Sequence, residues 1–115
     1  MPKYLVKASY TADGIKGLLK EGGSSRKAVV ERLTKGLGGS VEAFYFAFGT
    51  DDVFTILDLP DNVSAAAVSL TVGAAGAVAS NVTVLLSPAE IDAATKKSVD
   101  YTPPGAAKRA ATRRR

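Results

Sequence analysis

Apolar and polar positions alternate over residues 3–10, KYLVKASY, with Tyr4, Val6, Ala8 and Tyr10 on one side and Lys3, Leu5, Lys7 and Ser9 on the other. A period of two predicts a strand. The period becomes helical near residues 11–13, where Thr11 or Asp13 caps the turn GIKGLLKE. Gly22, Gly23, Ser24 and Ser25 interrupt it. A second helix is predicted from about residue 25 to 37, with Val29, Val30, Leu33 and Leu37 on one face and Gly38-Gly39 as its stop.

The segment VEAFYFAF (41–48) is the clearest strand, with Phe44, Phe46 and Phe48 facing one way and Val41, Ala43, Tyr45 and Ala47 the other. Gly49-Thr50-Asp51 reads as a hairpin turn, and DVFTILDL (52–59) returns with Phe54, Ile56 and Asp58 opposed to Val53, Thr55, Leu57 and Leu59. Asp61, Asn62 or Ser64 caps a third helix over about 63–79, built from small residues: Ala65, Ala66, Ala67, Gly73, Ala74, Ala75 and Gly76. Two glycines inside a helix cost roughly 1 kcal/mol each relative to alanine, so a thin surface for close approach to the sheet or to another helix is expected there. NVTVLLS (81–87) is the last strand. SPAEIDAATKK (87–97) opens with Ser87, Pro88 and Glu90, a capping-box pattern that starts a fourth helix.

The resulting order, β-α-β-β-α-β with a helical appendix, predicts a ferredoxin-like α+β fold: one four-stranded antiparallel sheet with its helices on one face. A second face open to water should alternate to polar residues. Both sides of 41–48 and of 52–59 are instead largely apolar. Covering each such residue is worth about 1.5–3 kcal/mol, so a second subunit packed sheet on sheet is expected, giving a homo-oligomer. The alternative is that the appendix and the C-terminal tail cover that face.

Composition narrows the chemistry. The 115-residue chain has room for one core, expected within 1–100 and followed by a tail over 101–115. It contains no cysteine and no histidine, which removes disulfides, thiolate chemistry, histidine-based triads and the usual zinc, copper or non-haem iron sites. The net charge of +4 belongs to the end of the chain, where Lys108, Arg109, Arg113, Arg114 and Arg115 stand without an acid; ten basic and eleven acidic residues remain elsewhere. Such a tail neutralises phosphates without reading sequence, or simply solubilises the protein. No run approaches the ~20 apolar residues of a membrane span, and the N-terminus does not read as a signal peptide, so a cytoplasmic protein is expected.

The segments GLLKEGGSSR, LGGSVEAFYFAFGTDD, DLPDNVSAAA and LLSPAEID, in this order over about residues 1–105, resemble the GYD domain family. That family is similar to the ferredoxin-like dimeric α/β barrels, so the resemblance implies the same fold and a dimer through the sheet. Its naming motif is a Gly-x-Tyr-Asp turn; Gly49 and Asp52 stand in place here, with Asp51 at the tyrosine position. The resemblance implies a fold and no activity.

Three groups of residues in the folded part are candidates for function. Asp51 and Asp52 beside Gly49 offer two adjacent carboxylates for a hard cation or for acid–base work; structurally, glycine supplies the positive φ of a tight turn while an aspartate accepts turn amides. Lys20, Ser24, Ser25 and Arg26 flank Gly22-Gly23 at a helix start, where free amides and two cations suit a phosphate or carboxylate, although the P-loop spacing is missing. The plain alternative is a helix break with Ser24 or Ser25 as N-cap. Lys7, Tyr45 and Asp58 lie on predicted sheet faces. A lysine or aspartate there is costly unless paired or at a strand end, and barrels similar to this one place small apolar or aromatic ligands between sheet and helices, where Tyr45 would supply a hydroxyl.

No cofactor fingerprint is present. The expected function is a small-molecule binding or sensing module with a small anionic or aromatic ligand. A cofactor-free enzyme and a polyanion-binding assembly protein acting through the tail are the alternatives.

Overall fold

The computed structural model describes residues 1–105. The chain runs β1 (Lys3–Tyr10), α1 (Ala12–Glu21), α2 (Gly23–Gly36), β2 (Ser40–Phe46), β3 (Val53–Asp58), α3 (Asn62–Ala75), β4 (Val78–Leu85) and α4 (Pro88–Thr95). The strands form one sheet in the order β2-β3-β1-β4, every pair antiparallel. This is the predicted ferredoxin-like α+β arrangement, with β1 and β3 in the centre. After α4 the described chain has no further helix or strand.

The core follows from the alternation in the sequence. Tyr4 sits between Leu57 of β3 and Val84 of β4, Val6 between Thr55 and Val82, and Ala8 between Val53 and Ser80. Their side of the sheet meets Val30 and Leu33 of α2, its C-cap Leu37, and Ala65, Val68 and Val72 of α3. The Tyr4 hydroxyl donates to Asn62 Oδ1 at 2.6 Å, which satisfies its polar end within the core and ties β1 to the first turn of α3. Thr34, fully buried in α2, donates its hydroxyl to the Val30 and Glu31 carbonyls.

The caps largely agree with the sequence. Thr11 caps α1 by accepting from Gly14 N, Asp61 caps α3 by accepting from Ser64 N, and Ser87 and Glu90 complete the capping box of α4. The Ser64 amide bond holds the Asp61 carboxyl below its ordinary range.

Four local expectations are corrected. Neither Ser24 nor Ser25 caps α2: both lie inside its first turn, and the N-cap is Gly22, at φ 87° with no side-chain cap. The third helix ends at Ala75 and not near 79, because Gly76 turns left-handed at φ 79° and its N–H bonds the Gly73 carbonyl. Val78, Ala79 and Ser80 therefore join β4. A bulge between Val41 and Ala43 turns Val41 toward Leu57, on the side of Phe44 and Phe46 and not of Ala43 and Tyr45. Finally, β2 stops at Phe46; Ala47 N donates to Asp52 O at 2.8 Å, and Phe48 stands fully exposed in the turn.

Candidate ligand-binding site

Small and β-branched residues on the helix-covered face of β1, β3 and β4 leave the layer beneath the helices incompletely filled. Ala8, Ser80, Val53 and Thr55 present little volume beneath α2 and α3, and a cavity of about 80 Å³ remains between them. Its walls are mainly the apolar side chains of both layers. Among the described residues that line it, Arg26 is the only charged one, and Tyr10, Thr55 and Ser80 are the other polar ones. The Thr55 hydroxyl is already committed, donating to the Ala43 carbonyl at 2.7 Å.

Arg26 is positioned by the break between α1 and α2. Gly22 redirects the chain, and Gly23 sits so close to the Phe46 ring that a Cβ there would lie 2.8 Å from it. The first turn of α2 is thereby seated on the edge of β2, and Arg26 follows one turn in. Its guanidinium is 4.0 Å from Glu21 Oε1, and both side chains are partly exposed. Such a pair contributes at most about 1 kcal/mol, so the guanidinium is available to a competing anion.

The structure separates the residues singled out from the sequence. Of the glycine-serine group, Arg26 alone reaches the cavity; Lys20, Ser24 and Ser25 are exposed around the helix break. Lys7, Tyr45 and Asp58 are not in the cavity but on the opposite face of the sheet. Tyr45, Phe54, Lys7 and Asn81 form one row across that face, Ala43, Ile56, Leu5 and Thr83 the next, and Ser40, Asp58, Lys3 and Leu85 a third. Tyr45 thus gives the cavity no hydroxyl; Tyr10 is the tyrosine among the described residues that line it.

Asp58 is held in an ion-pair network: Lys3 Nζ bonds Asp58 Oδ1 at 2.8 Å and also Glu42 Oε1. Asp58 first and Glu42 second hold the Lys3 amine above the ordinary lysine range. A raised pKa means that this contribution is present at neutral pH and is withdrawn only as pH climbs through the raised value. The half-buried Lys7 has Phe54 and Asn81 as its cross-strand neighbours.

The Gly49–Asp52 turn is built as a structural staple. Asp52 Oδ2 accepts from Tyr10 N at 2.9 Å, and Asp52 N donates to Ala8 O at 2.8 Å, fastening the β2–β3 hairpin to the end of β1. The Ser9 hydroxyl donates to Thr50 O at 2.9 Å and lies 3.5 Å from Asp51 Oδ1. Gly49 does not adopt positive φ, so the turn does not need glycine for the reason expected. Among the described residues no group of three acidic, histidine or cysteine side chains is arranged to hold a metal ion. Lys108, Arg109, Arg113, Arg114 and Arg115 lie outside the described residues.

Sequence reasoning missed Tyr10 and Ser80 as cavity residues. The signal for Tyr10 is the strand that places it on the side of Tyr4, Val6 and Ala8, whereas Ser80 falls between the helix expected to about 79 and the strand expected from 81.

An antiparallel ferredoxin-like sheet, covered by helices on one face with a small cavity between the layers, defines the class as an α+β domain. The GYD domain family matches residues 4–95, and the chain belongs to that family. No curated protein and no solved structure matches it. Among the described residues no helix is long and apolar enough to cross a membrane.

Proposed function

We propose that the protein is a binding or sensing module for a small organic anion, whose apolar end enters the cavity while its charge meets Arg26. The carrying observation is Arg26, the one charged group among the described residues that line a mainly apolar cavity of about 80 Å³. An engineered cavity of about 150 Å³ accommodates benzene, and a water molecule's share of liquid volume is about 30 Å³. The space here therefore suits a tail of about three carbons better than an aromatic ring. Burying those methylenes is worth about 2.4 kcal/mol, and a charge-assisted hydrogen bond adds about 1.5–3 kcal/mol, so a dissociation constant on the order of 1 mM is expected.

Butyrate is the probe for this reading. In an NMR titration it is expected to shift the methyl signals of Val30, Leu33, Val53 and Val68, and 1-butanol should bind at least about tenfold more weakly, as loss of about 1.4 kcal/mol implies. Arg26→Gln should abolish that preference while leaving the fold intact. Equal affinity for butyrate and butanol in the wild type, or shifts confined to surface lysines, would remove the basis for the proposal.

The same reading includes a homo-oligomer joined through the open face of the sheet. Every residue of α4 is exposed, so among the described residues the appendix does not cover that face. Tyr45 is 70% exposed and Phe54 37%, and with Ala43, Ile56 and Leu5 they form an apolar patch; β4 adds the more polar Asn81 and Thr83. We take the compartment to be the cytoplasm, and the binding chemistry does not depend on that choice.

A further inference from the structure

The two edges of the sheet are built differently. β2, at one edge, carries the bulge at Val41/Ala43 and the charged Glu42. Both features discourage another strand from pairing there. β4, at the other edge, pairs with β1 in unbroken register from Tyr10↔Val78 to Lys3↔Leu85 and contains no proline, bulge or charge. Among the described residues its outer side pairs with no strand. An unguarded edge of this kind presents a row of backbone donors and acceptors that other proteins protect or pair.

The helix above it extends the same character. Charged residues make up 23% of the chain, yet residues 62–89 contain none, which covers all of α3 and β4. Ala67 and Thr71 of α3 line the groove shared with Leu33 of α2 and its C-cap Leu37. The stripe Val63, Ala66, Leu70 and Gly73, spaced i, i+3, i+7, i+10, therefore lies away from the α2 groove and from the core-facing Ala65, Val68 and Val72, on the outer side of the helix that packs over β4. Val63 is 78% exposed and Leu70 74%, and Val84 at the strand edge is 51% exposed.

We infer that the β4 edge and this face of α3 together form a homotypic interface, on which a second copy of the chain pairs β4 with β4 antiparallel and α3 with α3. A second copy fits because a two-fold axis sets each strand against its own image. With no charge on either element, no like charges oppose one another. The size is adequate: α3 has 14 residues and β4 has 8, so the elements are about 21 and 27 Å long. Two layers of about 10 Å each give a footprint of roughly 500 Å² per copy, about 1,000 Å² for the pair, at the threshold of a specific interface. This interface is distinct from the open sheet face and does not rest on it: one extends the sheet sideways, the other stacks two sheets.

Hydrogen exchange of the full chain tests it, combined with sedimentation equilibrium across about 1–500 μM, a range that spans the weak affinities expected at this size. Wild-type β4 amides should gain protection as concentration rises. Leu70→Glu, at an exposed position near the middle of α3, should remove that gain and weaken association by at least about 100-fold, as a charge opposed to its own copy requires. Tyr45→Glu, on the open face, should leave the β4 protection unchanged. If Leu70→Glu fails to fold, the wild-type exchange data still decide. β4 exchange independent of concentration, or an oligomer dissolved by Tyr45→Glu and indifferent to Leu70→Glu, would overturn the inference; the latter result would retain the stacked-sheet dimer.

Discussion

Gly14→Ala is expected to destabilise the fold by about 3 kcal/mol and to lower the thermal midpoint by more than about 10 °C, the upper range of overpacking penalties. Gly14 is buried in the first turn of α1, and a Cβ built there would stand 2.0 Å from the Ala77 carbonyl oxygen and 3.0 Å from the Tyr10 ring. That oxygen has little freedom to withdraw. It accepts from Thr11 N at 3.0 Å and from the Thr11 hydroxyl at 3.2 Å, so backing away breaks bonds that hold Thr11, the N-cap residue of α1. Gly17, one turn along the same helix, has nothing within 4 Å of its Cβ position. Gly17→Ala should therefore stabilise the protein by up to about 1 kcal/mol through helix propensity alone. Thermal unfolding of the pair separates contact from propensity. A Gly14→Ala midpoint equal to that of Gly17→Ala would mean that α1 does not rest on the start of β4.

The contrast between these two glycines also marks what a sequence can show. Both stand in the segment GIKGLLKE with similar helical context, and only the arrival of Ala77, more than sixty residues later, distinguishes them. The strands and their inward residues were legible because β1 and β3 alternate cleanly, and Tyr4, Ala8, Val53 and Leu57 are buried as that alternation requires. The caps at Thr11, Asp61 and Ser87 were legible because side-chain capping is local chemistry.

What failed was decided by distant contacts or by one backbone angle. The left-handed turn at Gly76 ended α3 in an apolar stretch that equally suits helix or strand, and so Val78 and Ser80 were not placed in β4. The bulge in β2 moved Val41 to the other face without altering any residue type. The candidate site was legible only through Arg26. A cavity is a deficit of volume summed over several elements, and Ser80, Tyr10 and Val72 meet around it only after the sheet has closed. Gly49 and Asp52 drew notice for a sound reason, since Asp52 does accept a backbone amide, but it serves the strand next door.

Leu57→Ala carries the second large effect and tests the cavity and the core together. Leu57 is 1% exposed, belongs to the central cluster with Tyr4, Leu59, Ala65 and Val68, and also lines the cavity. Truncation removes about three carbon atoms and leaves a void adjoining the space already there, so a loss of about 3–5 kcal/mol is expected. The merged volume should be on the order of 150 Å³, large enough for benzene. Benzene should accordingly raise the thermal midpoint of Leu57→Ala in proportion to its concentration, since a ligand that binds only the folded state stabilises by mass action. It should leave the wild type unmoved, because about 80 Å³ is too small for the ring. Destabilisation without any benzene response would show that α2 and α3 close over the deletion. In that case the helix layer is compliant, the wild-type space is not held open by packing, and a ligand would have to supply the energy of opening it.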